Sequence, residues 1–231
     1  MAPKLTIEAV VFDLDDTLYP LAAFVAQARA AQALVATTLG IDPATWQTAL
    51  EAVDAAATRS YAPVQDALDY LELDPSWASV LEAPYEDYRP TSLPCYPGVF
   101  ELLTDLRANR TGTGPLTNGT PDRQYAKVRA LDLTGRLDAI VVADEIGHPK
   151  PDPAGFLHVA KLLGTIPERT LFVGDRPEVD MLGALQAGMP AVRLLVGWHA
   201  SKPSPDGVLA VEAHPEALWQ VVRQVVGVVG V

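Results

Sequence analysis

The chain has 231 residues, 49% of them hydrophobic and 20% charged, a balance typical of a folded globular protein and not of a disordered one. Twenty-nine acids against 17 bases give a formal charge of −12, which repels nucleic-acid backbones and anionic lipid but permits one locally positive pocket. The single cysteine, Cys95, excludes an internal disulfide and a cysteine-based structural zinc site, and fits a reducing compartment. No apolar run reaches the ~18–20 residues that span a bilayer. Glu8 and Asp13 interrupt the apolar stretch that a signal peptide needs. The expectation is a soluble cytoplasmic protein, monomer or homodimer, with neither nucleic acid nor membrane as partner.

Thr6 to Phe12 is short, apolar and β-branched, the pattern of a buried strand, and Asp13-Leu14-Asp15-Asp16-Thr17 follows it. From Leu21 the period changes. Leu21, Phe24, Ala28, Ala31, Val35 and Leu39 recur at helical spacing, and Gly40 closes the run. Asp42-Pro43 opens a second helix with Trp46, Leu50, Val53 and Ala57 on one face. Shorter helical stretches follow at Val64–Leu71 and Ser76–Leu81. Four helices without a strand predict a small inserted bundle.

After Pro94 the pattern alternates. Helices are expected over Pro97–Asn109, Pro121–Leu131, Asp152–Leu163, Glu178–Ala187 and Pro215–Val226. Strands are expected over Thr113–Thr117, Leu137–Ala143, Thr170–Val173 and Ala191–Leu195, and Lys202–Gly207 reads as a loop. The alternation predicts an α/β fold, a doubly wound parallel sheet with helices on both faces. The strand at Thr113–Thr117 is a poor one, since Pro115 removes a ladder donor and Gly112 and Gly114 weaken it.

In such a sheet, ligands bind beyond the C-terminal ends of the strands. If the strands are parallel neighbours, that rim receives Asp13 and Asp15 from the first, Thr117-Asn118 from the second and Lys150 from after the third. Asp175, with Asp180 five residues on, comes from the fourth. Clustered carboxylates repel one another, and a divalent cation relieves the repulsion. Hard oxygen ligands suit Mg²⁺, and Lys150 offsets remaining charge. Metal, ammonium and hydroxyl together suit a phosphoryl group. Singly, each residue has a plainer reading. Asp13, Asp15 and Asp16 can cap a helix, Thr117 can end a strand, Lys150 can be a solvated loop residue, and Asp152 reads as an N-cap. His148 reads as a surface-loop residue, and Arg176 is left between substrate contact and pairing with Asp180.

The motifs Asp13-x-Asp15-x-Thr17, Leu116-Thr117-Asn118-Gly119, Lys150-Pro151-Asp152-Pro153 and Gly174-Asp175-x-x-x-x-Asp180 together resemble the four signatures of the haloacid dehalogenase superfamily, in order along nearly the whole chain. The helical insertion after the first motif is similar to the cap of the phosphatase branch. The resemblance implies a Rossmann-like core of residues 1–18 and 95–231 and a helical cap of residues 19–94 that closes over substrate. It implies Asp13 as nucleophile, forming an aspartyl-phosphate, and Asp15 as general acid and base. Thr117, the Asn118 N–H and Lys150 then bind the phosphoryl group. Asp13, the Asp15 carbonyl and Asp175 hold Mg²⁺, with Asp180 joining the metal site directly or through water or Lys150. The family's dehalogenases lack a carboxylate at the second position, so Asp15 favours phosphomonoesters. The expected function is Mg²⁺-dependent hydrolysis of a small phosphorylated metabolite. A sugar-phosphate mutase and a non-catalytic binding protein on the same fold are the alternatives.

Overall fold

A computed structural model describes residues 6–56 and 62–227. Six parallel strands form one sheet: β1 (Ala9–Phe12), β2 (Gly112–Thr117), β3 (Val141–Val142), β4 (Thr170–Gly174), β5 (Ala191–Leu194) and β6 (Ala210–Glu212). Their spatial order is β3-β2-β1-β4-β5-β6. The chain winds outward from β1 to one edge, returns to β4 and winds to the other edge. The order therefore reverses between β1 and β4, at the position where doubly wound sheets bind ligands.

Every residue of β1, β4 and β5 is buried, as strands covered on both faces require. On one face, Val11, Leu116 and Phe172 join Phe156 and Val159 of α7 (Pro153–Leu162) and Ala184 of α8 (Leu182–Gln186) in one apolar cluster. On the other, Phe12 meets Trp219 of α9 (Pro215–Val226) edge-on, with ring centroids 6.4 Å apart. Trp219 also donates its indole N–H to the Pro97 carbonyl at 2.9 Å, just before α5 (Val99–Ala108). Helix α6 (Pro121–Ala130) follows β2.

Pro115 does lie in a non-edge strand, and the hydrogen-bond alternation explains why. Gly112 N donates to Glu8 O on the β1 side, whereas Thr113 O accepts from Asp138 N on the β3 side. Pro115 has the parity of Thr113, so its missing donor faces β3, whose pairing begins only opposite Leu116. Gly114 is required by proximity: a Cβ there would lie 2.7 Å from the Ala139 carbonyl oxygen. That carbonyl, and the donation of both Asp138 N and Ala139 N to Thr113 O, keep residues 137–140 out of register. The strand expected over Leu137–Ala143 is consequently reduced to two residues. The helix expected over Glu178–Ala187 is also altered. It opens as a π-helical turn, Pro177–Met181, in which Met181 N reaches Arg176 O at 3.2 Å, and only then becomes α8. The strand β6 was not anticipated.

Residues 22–90 form a second compact unit and residues 1–21 with 91–231 the first. The second unit holds α1 (Leu21–Thr38, all but its first residue), α2 (Pro43–Ala56), α3 (Pro63–Tyr70) and α4 (Ala78–Glu86), and among its described residues there is no strand. Trp46, Leu50, Val64, Leu68 and Leu81 form its core. The buried stripe of α1 is Phe24, Ala28, Gln32 and Ala36, rotated from the one predicted through Ala31 and Val35. An alanine-rich helix defines no sharp apolar face. Gln32 is accepted inside because its amide donates to the Leu81 carbonyl at 2.9 Å. The Ala57 expected on α2 lies outside the described residues. No described helix is long and apolar enough to cross a membrane.

Candidate active site

The register places the site. Phe12 pairs with Val173 on one side and Pro115 on the other, so Asp13 leaves β1 where β4 delivers Asp175 and β2 delivers Thr117. Asp13 N is still in the ladder, donating to Val173 O at 2.8 Å. Its carboxylate is buried and paired with Lys150 Nζ, which also donates to Asp180 Oδ1 at 2.7 Å. The Lys150 backbone is clamped by the Asn118 side chain, with Lys150 N to Oδ1 at 2.8 Å and Nδ2 to Lys150 O at 2.9 Å. The Lys150–Pro151 peptide is cis. Gly174 admits Asp180: a Cβ at 174 would lie 2.7 Å from Asp180 Oδ2, which accepts from Arg176 N at 3.0 Å. The π-helical turn thus carries Asp180 back over the end of β4.

Asp13, Asp175 and Asp180 each offer an oxygen within 4.8 Å of the others, all buried. Burial, reinforced by Asp180 and Asp15 and opposed by Lys150, pushes Asp13 up to about 7. Burial and then Asp13 and Asp180 push Asp175 up to about 9. Burial would depress the Lys150 ammonium, but Asp13 and Asp180 outweigh it and hold the group above its ordinary value. One ammonium does not balance three carboxylates. Asp175 Oδ1, moreover, is buried without a hydrogen-bond partner. A buried anionic oxygen in that state is what a hard cation satisfies, so the donor set fits one. Both Asp180 oxygens already accept bonds from protein donors, which makes Asp180 the second anchor of Lys150.

Asp15 is held by residues that sequence reasoning missed. Lys127 Nζ donates to both its oxygens at 2.8 Å, and the Tyr19 hydroxyl donates to Oδ1 at 2.5 Å. Burial and the Asp15 charge keep Tyr19 firmly protonated. Gln124 donates to Thr117 Oγ1 at 2.8 Å and to the Asn118 carbonyl. The Thr117 hydroxyl in turn directs its own proton to the Asn118 carbonyl at 3.4 Å, a long bond. Gln124 and Lys127 lie three apart on α6, whose buried face is unusually polar. That inward polar face was the available signal. Arg193, fully buried, was also missed. Its Nε donates to the Asp175 carbonyl at 2.9 Å, and its other nitrogens reach the carbonyls of His199 and Lys202 and the Ser204 hydroxyl.

The remaining residues are peripheral. His148 is exposed and meets Asp152 at 2.9 Å, while Asp152 caps α7 through Ala154 N at 2.9 Å. Asp16 adopts φ 55° and accepts from Leu21 N at 2.9 Å at the start of α1. Arg176 reaches Asp180 with its backbone N–H, and its guanidinium does not pair with that carboxylate.

Residues 7–188 match the family described as haloacid dehalogenase-like hydrolases. A glyceraldehyde 3-phosphate phosphatase of Methanopyrus kandleri is 32% identical over 94% of this chain and 98% of its own. A phosphoserine phosphatase of Thermus thermophilus is 35% identical over 49% of this chain and 46% of its own. Among solved structures, a HAD phosphatase from Thermococcus onnurineus has the same fold, with a TM-score of 0.65 at 21% identity over 97% of this chain and all of the other. The chain belongs to the haloacid dehalogenase-like hydrolases. Its curated relatives place it in their phosphatase branch.

Proposed function

We propose that the protein hydrolyses the phosphomonoester of a small metabolite, with Asp13 as nucleophile. The observation that carries this reading is Lys150, which bridges Asp13 and Asp180 beside an unpartnered Asp175 oxygen at the switch point of the sheet. Asp13 and Asp175, with the Asp15 carbonyl and Asp180 nearby, would hold Mg²⁺, which when bound offsets the charge crowded between these acids and a phosphate ester. Lys150 fixes Asp13 Oδ1 and leaves Oδ2 to attack phosphorus. The Asp13–phosphorus bond forms as the ester bond breaks, and Asp15 gives its proton to the leaving oxygen. Thr117, the Asn118 N–H and Lys150 hold the phosphoryl oxygens during the transfer. Asp15, now a carboxylate, takes a proton from water, which attacks phosphorus and releases Asp13 and inorganic phosphate. The lone cysteine supports a cytoplasmic setting.

The test is phosphate release from a panel of phosphomonoesters by purified protein with Mg²⁺. Glyceraldehyde 3-phosphate and phosphoserine come first, because relatives are named for them. Release from at least one small ester, lost on metal removal, is expected. No release from any ester, or full activity without metal, overturns the reading. Isomer formation from a sugar phosphate without free phosphate makes the protein a mutase instead.

A further inference from the structure

Resting on the acid–base role proposed for Asp15, we infer that Lys127 is a positioning residue that holds the Asp15 carboxylate in place for proton exchange, while Tyr19 distinguishes its two oxygens. Asp15 sits in a turn, its side chain 28% exposed, followed by Asp16 in a left-handed conformation. Within that turn the Tyr19 hydroxyl, four residues on, holds the carboxylate by Oδ1 and leaves Oδ2 to a distant group. Lys127 is that group, 112 residues away in the chain, with its ammonium at 2.8 Å from each oxygen. Equal distances to two oxygens centre the ammonium between them and fix the direction in which the carboxylate points. The Tyr19 hydroxyl then fills a second acceptor direction on Oδ1. Oδ2 takes only the lysine and has a direction to spare, so Oδ2 is the atom that gives the proton to the leaving oxygen and later takes it from water.

A packing role explains Lys127 less well. Its side chain is 4% exposed, and burying an ammonium costs more than burying an apolar residue of the same volume. Asp13, Lys150 and Asp180 are tied to one another, whereas the Lys127 ammonium meets Asp15 through both carboxylate oxygens.

The experiment compares leaving groups. An alkyl phosphate leaves as a poor alkoxide and needs the proton, whereas p-nitrophenyl phosphate leaves as a stable anion and does not. Lys127→Met is expected to lower kcat on an alkyl phosphate by about 10- to 100-fold, the order expected when a reacting group is misplaced. It should lower kcat on p-nitrophenyl phosphate by less than about threefold, as general acid help is then dispensable. The ratio of the two rates does not depend on the fraction of the variant that folds. Lys127→Arg, which keeps a charged donor, is expected to recover part of the alkyl-phosphate rate. Asp15→Asn, measured alongside, should show the same leaving-group bias more strongly. Equal losses on both substrates in Lys127→Met, with the bias intact in Asp15→Asn, overturn the role of Lys127 while sparing that of Asp15. No bias in Asp15→Asn removes the acid–base role and the inference with it.

Discussion

Glu8 and Asp13 flank the same central strand, and each meets one cation. At the N-terminal end, Arg169 Nη1 lies 2.6 Å from Glu8 with both side chains about half exposed. At the C-terminal end, Lys150 and Asp13 are almost wholly buried and Asp180 completes the group. Two similar pairs thus have opposite consequences. Water screens the first, which leaves it little energy to contribute. The second is cut off from water, so its charges shift one another's proton affinity and cannot be unpaired cheaply. The difference sets the C-terminal end of the strand apart as the end where buried charges are coupled.

Asp13→Asn should break the comparison most severely. It keeps the shape of the pocket and removes the nucleophile proposed above, so phosphate release is expected to fall by on the order of 10⁴-fold or more. Circular dichroism of the same preparation should remain that of the parent. A variant releasing phosphate at near the parent rate removes Asp13 from the mechanism.

Lys150→Met leaves Asp13 and Asp180 buried without their cation. The expected cost is about 3–5 kcal/mol in urea unfolding, the range for breaking a buried pair. A loss under about 1 kcal/mol, typical of exposed pairs, would place this group with the surface pair at Glu8.

Metal removal sharpens the contrast through pH. Asp13 and Asp175 are raised to about 7 and about 9 from 3.8, so the metal-free native state binds more protons than the unfolded chain. Their contribution is full below pH 3.8 and is lost as pH rises through 7 and then 9. The melting temperature in EDTA should therefore fall between pH 6 and pH 9 by a few degrees, on the order expected for 1–2 kcal/mol. Saturating Mg²⁺ should flatten that fall. A pH-independent melting temperature in EDTA contradicts the crowded-charge account.

The smallest effect belongs to the exposed end. Glu8→Gln should change stability by no more than about 0.5 kcal/mol and leave turnover unaltered. A large loss there would show that the two ends of β1 are not energetically separate.

The acids at the strand ends were readable before any coordinates. Strand and helix periods located the ends of β1, β2 and β4, and the rule for parallel sheets brought Asp13, Thr117 and Asp175 to one rim. Asp152 and Asp16 were readable as capping or loop residues for local reasons, since an N-cap depends on the next few residues only. Three details were not legible. Residues 137–140 alternate well enough for a strand, yet the Ala139 carbonyl beside Gly114 holds them out of register. The π-helical turn at Pro177–Met181 has no helix-period signature, because a single added residue is set by what Asp180 must reach. The α1 stripe turned on a bond between Gln32 and Leu81 that lies 49 residues away in the chain.

The sequence by itself determined the strand-end chemistry, since each of those side chains follows directly from a local period and a parallel sheet fixes the direction in which strands end. Only the tertiary structure decided which groups hold that chemistry in place. Lys127 reaches Asp15, Arg193 the Asp175 carbonyl and Asn118 the Lys150 backbone across 112, 18 and 32 residues of chain. Contacts of that kind depend on how helices and loops pack against the sheet, to within the length of one hydrogen bond, and no local pattern encodes that distance.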